Sequence, residues 1–199
     1  MKLCKSQLFM AAISMFVIAS CSEQQNEPKE QIKTGIEADI LITNGTVFTG
    51  ESVQGQLLDI AVCGQIICGI FPSDSSTIRA KKIIDATDKI VSPGFVDPHT
   101  HSLAELKSKD KNHNLNYLTQ GVTTVVNGND GGGPVDIKTM ATQLEVNGIG
   151  TNVALFVGHG SLREQVMGRA ERISTPQELT EMSTLLTSAM EAGALGSVP

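Results

Sequence analysis

The chain has 199 residues, of which 40% are hydrophobic and 18% charged, and its formal net charge is −6. This length and apolar content suit a globular protein of one large domain or two small ones that can bury a core. The negative charge and the absence of a lysine or arginine run argue against nucleic acid as a partner.

The first 20 residues are typical of an export signal. Lys2 and Lys5 precede an apolar run, Leu8–Ala19, which is too short to span a bilayer comfortably. The run ends before Cys21, in a pattern that resembles a bacterial lipoprotein signal, whose cysteine is acylated. Residues 1–20 therefore predict a lipoprotein signal peptide, with lipidation at Cys21 and attachment to the exported side of a bacterial membrane. An ordinary secretory signal is the alternative.

Residues 21–37 are polar and predict a flexible tether, and residues 38–90 then predict a small β unit. In this unit, short apolar or β-branched runs are separated by turn residues. The predicted elements are a strand at Asp39–Thr43, a hairpin turn at Asn44-Gly45, and strands at Thr46–Thr49, Leu57–Val62, Ile66–Phe71 and Lys82–Ala86.

Two cysteines, Cys63 and Cys68, flank the predicted turn of the second hairpin, Gly64-Gln65. In that register Cys63 faces Ile66, and Cys68 is its diagonal neighbour. Diagonal neighbours in an antiparallel pair lie about 7–8 Å apart, which is long for a disulfide. We therefore expect two buried thiols, although an export route permits oxidation.

From residue 91 onwards, apolar strands alternate with helical patterns. The predicted elements are a strand at Val91–Asp97, a polar helical stretch to Leu118, a strand at Val122–Val126, a helix with Ile137, Met140, Ala141 and Leu144 on one face, a strand at Asn152–Val157, and a helix that begins at the capping box Thr175-Pro176-Gln177-Glu178. The strands begin near residues 91, 122 and 151, and a spacing of roughly 30 residues is the size of a βα unit. The alternation predicts an α/β fold with a parallel sheet.

Two histidines, His99 and His101, follow the first of these strands. Residues i and i+2 of a strand share a face, so both imidazoles can aim at one point. Neutral imidazole is the commonest metal ligand in proteins, and α/β proteins carry their chemistry at the carboxyl edge of the sheet. The pair therefore predicts a metal site. The glycines at 131–133 are not followed by Gly-Lys-Ser/Thr, which excludes a P-loop.

These motifs resemble those of a known family. The stretch IVSPGFVDPHTHS, after a short β unit, resembles the amidohydrolase superfamily. Three further stretches are similar to the N-acyl-D-amino-acid deacylases, or D-aminoacylases: QGVTTVVNGN, NVALFVGHGSLREQVMG and TPQELTEMSTLLTSAMEAGALG. The resemblance extends from about Ala38 to Gly196.

The resemblance implies that residues 91–199 are the first three βα units of a metal-dependent (β/α)₈ barrel, and that residues 38–90 are a segment of a small β-sandwich. It implies zinc, as one or two divalent ions, and hydrolysis of a linear amide, with a small-molecule N-acyl-D-amino acid as substrate. Such a barrel needs eight units. We therefore expect a longer enzyme whose general-base aspartate lies beyond Pro199, and we expect the 199-residue chain alone to be inactive.

The resemblance also suggests roles for individual residues. The deacylases commonly carry a cysteine metal ligand after the second strand, where this chain has Asp130, and a carboxylate could take that place. Asp97 is a candidate acceptor for a histidine N–H, and His159 and Arg163 are candidates for contacts with the substrate or around the metal. Two alternatives stay open: a cyclic amidase similar to dihydroorotase or hydantoinase, and a truncated lipoprotein without catalytic activity.

Overall fold

The computed structural model of the chain describes residues 35–73 and 78–199. The predicted signal peptide, the lipidation site Cys21 and most of the predicted tether lie outside the described residues. Within the two described ranges, no helix has both the length and the apolar character needed to cross a membrane.

A mixed five-stranded sheet forms the first part of the described chain. Its strands are β1 (Glu37–Val47), β2 (Gln56–Cys63), β3 (Ile66–Pro72), β4 (Arg79–Asp85) and β5 (Ile90–Val91). The order is β3-β2-β1-β4, and β5 also pairs with β1. The pairs β1–β2 and β2–β3 are antiparallel, whereas β4 and β5 run parallel to β1. The β2–β3 hairpin is confirmed, and the β-sandwich stays a prediction.

The predicted hairpin turn at Asn44-Gly45 is wrong, because β1 continues through both residues. A two-residue type I′ turn needs positive φ at both positions, but only Asn44 has it, with φ 61°. The register with β2 instead shifts between Ile42 and Gly45, as in a β-bulge. The Asn44 backbone N–H donates to Asp59 Oδ1 at 3.2 Å, and its side-chain amide donates to Asp85 Oδ1 at 3.1 Å. These neighbours hold the bulge in place.

The expectation of two buried thiols is also wrong, because Cys63 and Cys68 form a disulfide. The cause is a second register shift. Ala61 pairs with Gly69, but the next residue of β2 pairs with Ile67, so Cys68 is an extra residue in β3. The bulge brings the two cysteine Cα atoms to 5.7 Å, which lies within the usual range for a disulfide of about 4.4–6.8 Å.

Strands and helices alternate in the second part of the chain. The elements are β6 (Phe95–Asp97), α1 (Leu103–Lys107), α2 (Leu115–Leu118), β7 (Val122–Asn127), α3 (Ile137–Asn147), β8 (Asn152–Leu155), β9 (Val157–Gly158), α4 (His159–Met167), α5 (Pro176–Glu191) and β10 (Ser197–Val198). Strands β6, β7 and β8 form a parallel sheet in chain order, and β9 pairs in parallel with β10. This mixed α/β arrangement fits the N-terminal part of a barrel.

Phe156 separates β8 from β9 without ending the sheet. Its backbone N–H donates to Asn127 O at 2.8 Å, and Leu155 O accepts from the Leu195 N–H at 2.9 Å. Together β8 and β9 therefore connect β7 on one side with the segment leading into β10 on the other. The predicted third strand is confirmed as a broken strand.

The first predicted strand of this part, Val91–Asp97, divides into β5 and β6, which belong to different sheets. Pro93 has no N–H to donate to a sheet ladder, and Gly94 packs directly against the Thr123 side chain. The chain therefore leaves the first sheet at Val91 and enters the second at Phe95.

The helices of the second part pack on two apolar clusters. The larger cluster consists of Ile137, Leu155, Val157, Leu162, Met167, Met182, Ala189 and Ala194, and the smaller of Leu106, Val125 and Leu144. The predicted face of α3 and the capping box of α5 are confirmed. Helix α4 was not predicted, since its short sequence lies between glycines and has a weak apolar pattern. These clusters support β7 and β8, and the carboxyl end of β7 leads to the candidate site.

Candidate metal centre

The histidine pair lies just past the carboxyl end of β6. The centres of the His99 and His101 rings are 5.4 Å apart. Asp97, the last residue of β6, accepts a hydrogen bond from the His99 backbone N–H at 3.1 Å through Oδ1. The carboxylate thus holds the backbone of the turn that carries the histidines.

Thr100, between the two histidines, is anchored in the protein and only 2% exposed. Its backbone N–H and its Oγ1 both donate to Val126 O in β7, at 2.9 and 2.8 Å. Thr100 is buried, whereas the histidines on either side of it are not. The side chains of His99 and His101 are 58% and 67% exposed.

Asp130 faces the two histidines from the loop after β7. Its Oδ2 lies 3.5 Å from His99 Nε2 and 3.2 Å from His101 Nε2. One ligand atom from each of the three residues falls within 4.8 Å of the others. Two ligands about 2.1 Å from one tetrahedral ion lie roughly 3.4 Å apart. The nitrogen and oxygen donors and their spacing therefore fit a zinc-like ion.

The Asp130 loop owes its close packing to glycines. Asp130 has φ 56° and Gly131 φ 71°, so two consecutive residues are left-handed. Gly131 O accepts from the Ser161 N–H in the first turn of α4 at 3.0 Å. A Cβ on Gly133 would lie 2.8 Å from the Gly158 nitrogen, closer than real Cβ contacts. Because these glycines have no Cβ, the ligand-bearing loop can pack closely against the start of α4.

The remaining predicted residues lie on α4. His159 is its first residue and is exposed. Among the described residues it is not part of a group that could hold a metal, since that group consists of His99, His101 and Asp130. The Arg163 guanidinium donates to Ala170 O at 2.9 Å and Arg172 O at 2.6 Å, so it holds the α4–α5 loop. Contacts of His159 and Arg163 with a substrate stay predictions.

Three polar residues that surround the candidate ligands are not predicted from the sequence: Thr100, Asn127 and Asn129. Asn127 is fully buried, and its Nδ2 donates to Ser102 Oγ at 3.3 Å. Asn129 Nδ2 donates to Val126 O at 3.1 Å and to Thr100 O at 3.4 Å. The available signal was the Asn127-Gly128-Asn129 stretch directly after a β-branched strand, where side-chain amides can satisfy buried polar groups at the strand end.

The chain is similar in sequence and fold to known proteins. The model of the amidohydrolase family matches residues 82–198. The chain is 32% identical over 187 residues to the D-aminoacylase of Alcaligenes xylosoxydans xylosoxydans. The aligned region covers 79% of this chain and 37% of that protein.

Two solved structures share the fold over most of the described chain. N-acyl-D-glutamate deacylase from Bordetella bronchiseptica, in complex with zinc and a phosphonate mimic of the tetrahedral intermediate, matches with a TM-score of 0.74 at 28% identity, covering 81% of this chain and 38% of that one. A D-aminoacylase studied for its binuclear metal centre matches with a TM-score of 0.72 at 31% identity, covering 80% and 38%. The chain thus spans little more than a third of the length of these relatives.

Proposed function

Because the chain belongs to the amidohydrolase family, we propose that it contributes metal ligands to a hydrolase that removes the acyl group from N-acyl-D-amino acids. The observation that carries the proposal is the meeting of His99, His101 and Asp130 at the carboxyl edge of parallel strands. Amidohydrolysis needs a polarised carbonyl and an activated water, and this donor set suits an ion that provides both.

Zinc is the metal that we propose, with His99 Nε2, His101 Nε2 and Asp130 Oδ2 as its ligands from this chain. When bound, such an ion polarises an amide carbonyl and lowers the pKa of a water molecule. The zinc in the related N-acyl-D-glutamate deacylase supports this choice. The binuclear centre described for D-aminoacylase supports a second divalent ion as part of the same proposal.

The substrate that we propose comes from the relatives of the chain. The preference for a D-amino acid is supported by the similarity to D-aminoacylase and to N-acyl-D-glutamate deacylase.

Zinc content and hydrolysis together test this proposal. We expect purified protein to bind zinc, and His99→Ala, His101→Ala and Asp130→Ala each to lose most of it, as measured by metal analysis after dialysis. The full-length enzyme is expected to hydrolyse N-acetyl-D-glutamate or another N-acyl-D-amino acid but not the L enantiomer, and this activity should disappear when the same substitutions are made in it. Hydrolysis of hydantoin or dihydroorotate in place of linear amides would favour the cyclic-amidase alternative.

His113→Ala is the matched histidine control. His113 is exposed, and its backbone lies against Gly150, just before β8, at the opposite end of the parallel strands. This variant is expected to keep its zinc. Zinc binding that survives in both His99→Ala and His101→Ala would rule out the proposed site.

We also propose that the protein is exported and held to a bacterial membrane by lipid on Cys21. The basic start, the short apolar run and the position of the cysteine support this. In cells, Cys21→Ser is expected to lose incorporation of labelled fatty acid and to leave the detergent phase. Cys4→Ser is the control within the same signal and is expected to behave as the wild type. Full labelling of Cys21→Ser would contradict the lipid anchor.

A further inference from the structure

One backbone oxygen, Val126 O near the end of β7, joins both segments that carry the proposed ligands. It accepts from the Thr100 N–H at 2.9 Å, from Thr100 Oγ1 at 2.8 Å and from Asn129 Nδ2 at 3.1 Å. Val126 itself is 6% exposed, the bond from Thr100 Oγ1 is buried, and the bond from Asn129 Nδ2 is partly buried. A carbonyl oxygen has two lone pairs, and Val126 O accepts from two side chains that lie outside the sheet ladder.

The two donors occupy matching positions in the chain. Thr100 lies between His99 and His101, and Asn129 directly precedes Asp130. Asn129 Nδ2 also donates to Thr100 O at 3.4 Å, which links the two segments to each other. Each proposed ligand is therefore one residue away from a side chain that is fixed to the same point in β7.

Among the residues that the structure describes, the ligand side chains receive little support from packing. They are 58%, 67% and 65% exposed, and Asp130 has the left-handed φ of 56° that non-glycine residues rarely adopt. An exposed loop with this backbone keeps its conformation only where its surroundings determine it. Asn129 directly precedes Asp130, and its side-chain amide fixes the loop through hydrogen bonds to Val126 O and Thr100 O.

We propose that Thr100 and Asn129 are positioning residues that hold the histidine pair and Asp130 in a metal-binding arrangement through their shared acceptor, Val126 O. This inference rests on the metal site proposed above and adds the residues that organise it. Mutating a residue that supports a metal ligand typically lowers the affinity for the metal by about 10–100-fold. The same range is expected here, although neither residue offers a donor atom to the metal.

Cobalt titration of the metal-free protein tests the proposal without any assay of activity. Thr100→Val keeps the shape of the side chain and removes only Oγ1, and Asn129→Ala removes the amide. Each is expected to weaken Co²⁺ binding about tenfold or more and to change the visible absorption of the bound ion. Thr100→Ser retains the hydroxyl and is expected to restore both wild-type affinity and spectrum.

Two controls separate positioning from general damage. Thr142→Val on α3 and Asn116→Ala on α2 repeat the same chemical changes at exposed positions, and both are expected to bind Co²⁺ as the wild type does. Wild-type affinity and spectrum in Thr100→Val and Asn129→Ala, with binding lost in His99→Ala, would overturn the positioning role alone. Unchanged binding in His99→Ala and His101→Ala would overturn the metal site and this inference together.

Discussion

Two left-handed residues, one in each part of the chain, show how the same backbone conformation serves different ends. Asn44 in the first sheet has φ 61°, and Asp130 after β7 has φ 56°. The Asn44 amide donates to Asp85 and its N–H to Asp59, so both contacts connect strands of one sheet. The Asp130 carboxylate instead faces two imidazole nitrogens, at 3.5 and 3.2 Å.

The difference lies in where the side chains end. Polar groups around Asn44 form hydrogen bonds with one another and stabilise a bulge. The donor atoms around Asp130 converge on one point while their side chains stay exposed. Side chains whose metal-binding atoms converge while they stay exposed indicate a bound ion. Polar groups that form hydrogen bonds with one another indicate a structural role.

The largest expected effect is on zinc affinity, when glycine replaces Asp130. Glycine adopts positive φ without strain, so Asp130→Gly keeps the loop and removes only the carboxylate. We expect zinc affinity to fall more than about 100-fold, beyond the range for residues that merely support ligands. We expect the thermal stability of the metal-free protein to be unchanged or slightly raised. Isothermal titration and thermal unfolding measure the two quantities.

Asn44→Gly is the matched control, and it is expected to bind zinc with wild-type affinity. Its stability should change by no more than about 1 kcal/mol, since it loses two exposed side-chain hydrogen bonds, to Thr43 and Asp85, but gains an unstrained backbone. Equal zinc affinity in Asp130→Gly and Asn44→Gly would remove the distinction between the two regions.

The candidate ligands could be predicted from sequence because they depend on local spacing and strand order. His99 and His101 are two residues apart, and Asp130 follows the next parallel strand, so all three reach the same edge. The disulfide and the bulge at Asn44 could not be predicted in this way. A one-residue register shift depends on contacts between strands, such as the packing of Gly45 against the Val91 side chain, where an added Cβ would lie 2.6 Å from Cγ2.

A smaller effect is expected when the first sheet is altered and the candidate site is left intact. The Cys63–Cys68 disulfide closes a loop with a sequence separation of 5, and a loop of this size stabilises the native state by about 2 kcal/mol through chain entropy. The Cys63→Ser, Cys68→Ser double variant should lose roughly that free energy of unfolding, as measured by urea denaturation.

Zinc affinity provides the contrast in the same double variant. The disulfide lies at the β2–β3 turn, while the proposed ligands follow β6 and β7 of the other sheet. We expect the zinc dissociation constant to stay at its wild-type value. A parallel loss of stability and zinc affinity would mean that the two sheets do not behave as separate regions.

The smallest effect is expected at the start of α5, where a carboxylate supports structure rather than a ligand. The Arg172 guanidinium and the Thr175 backbone N–H donate to Glu178 and lower the pKa of its carboxyl from 4.5 to about 2. Because the folded pKa is depressed, this stabilisation is complete above pH 4.5 and is lost as the pH falls towards 2. Glu178→Gln removes the charge and should flatten that part of the stability profile. Urea unfolding between pH 5 and pH 2 measures it, with Glu181→Gln on the same helix as the control. An identical pH profile in wild type and Glu178→Gln would show that the capping carboxylate does not couple to folding.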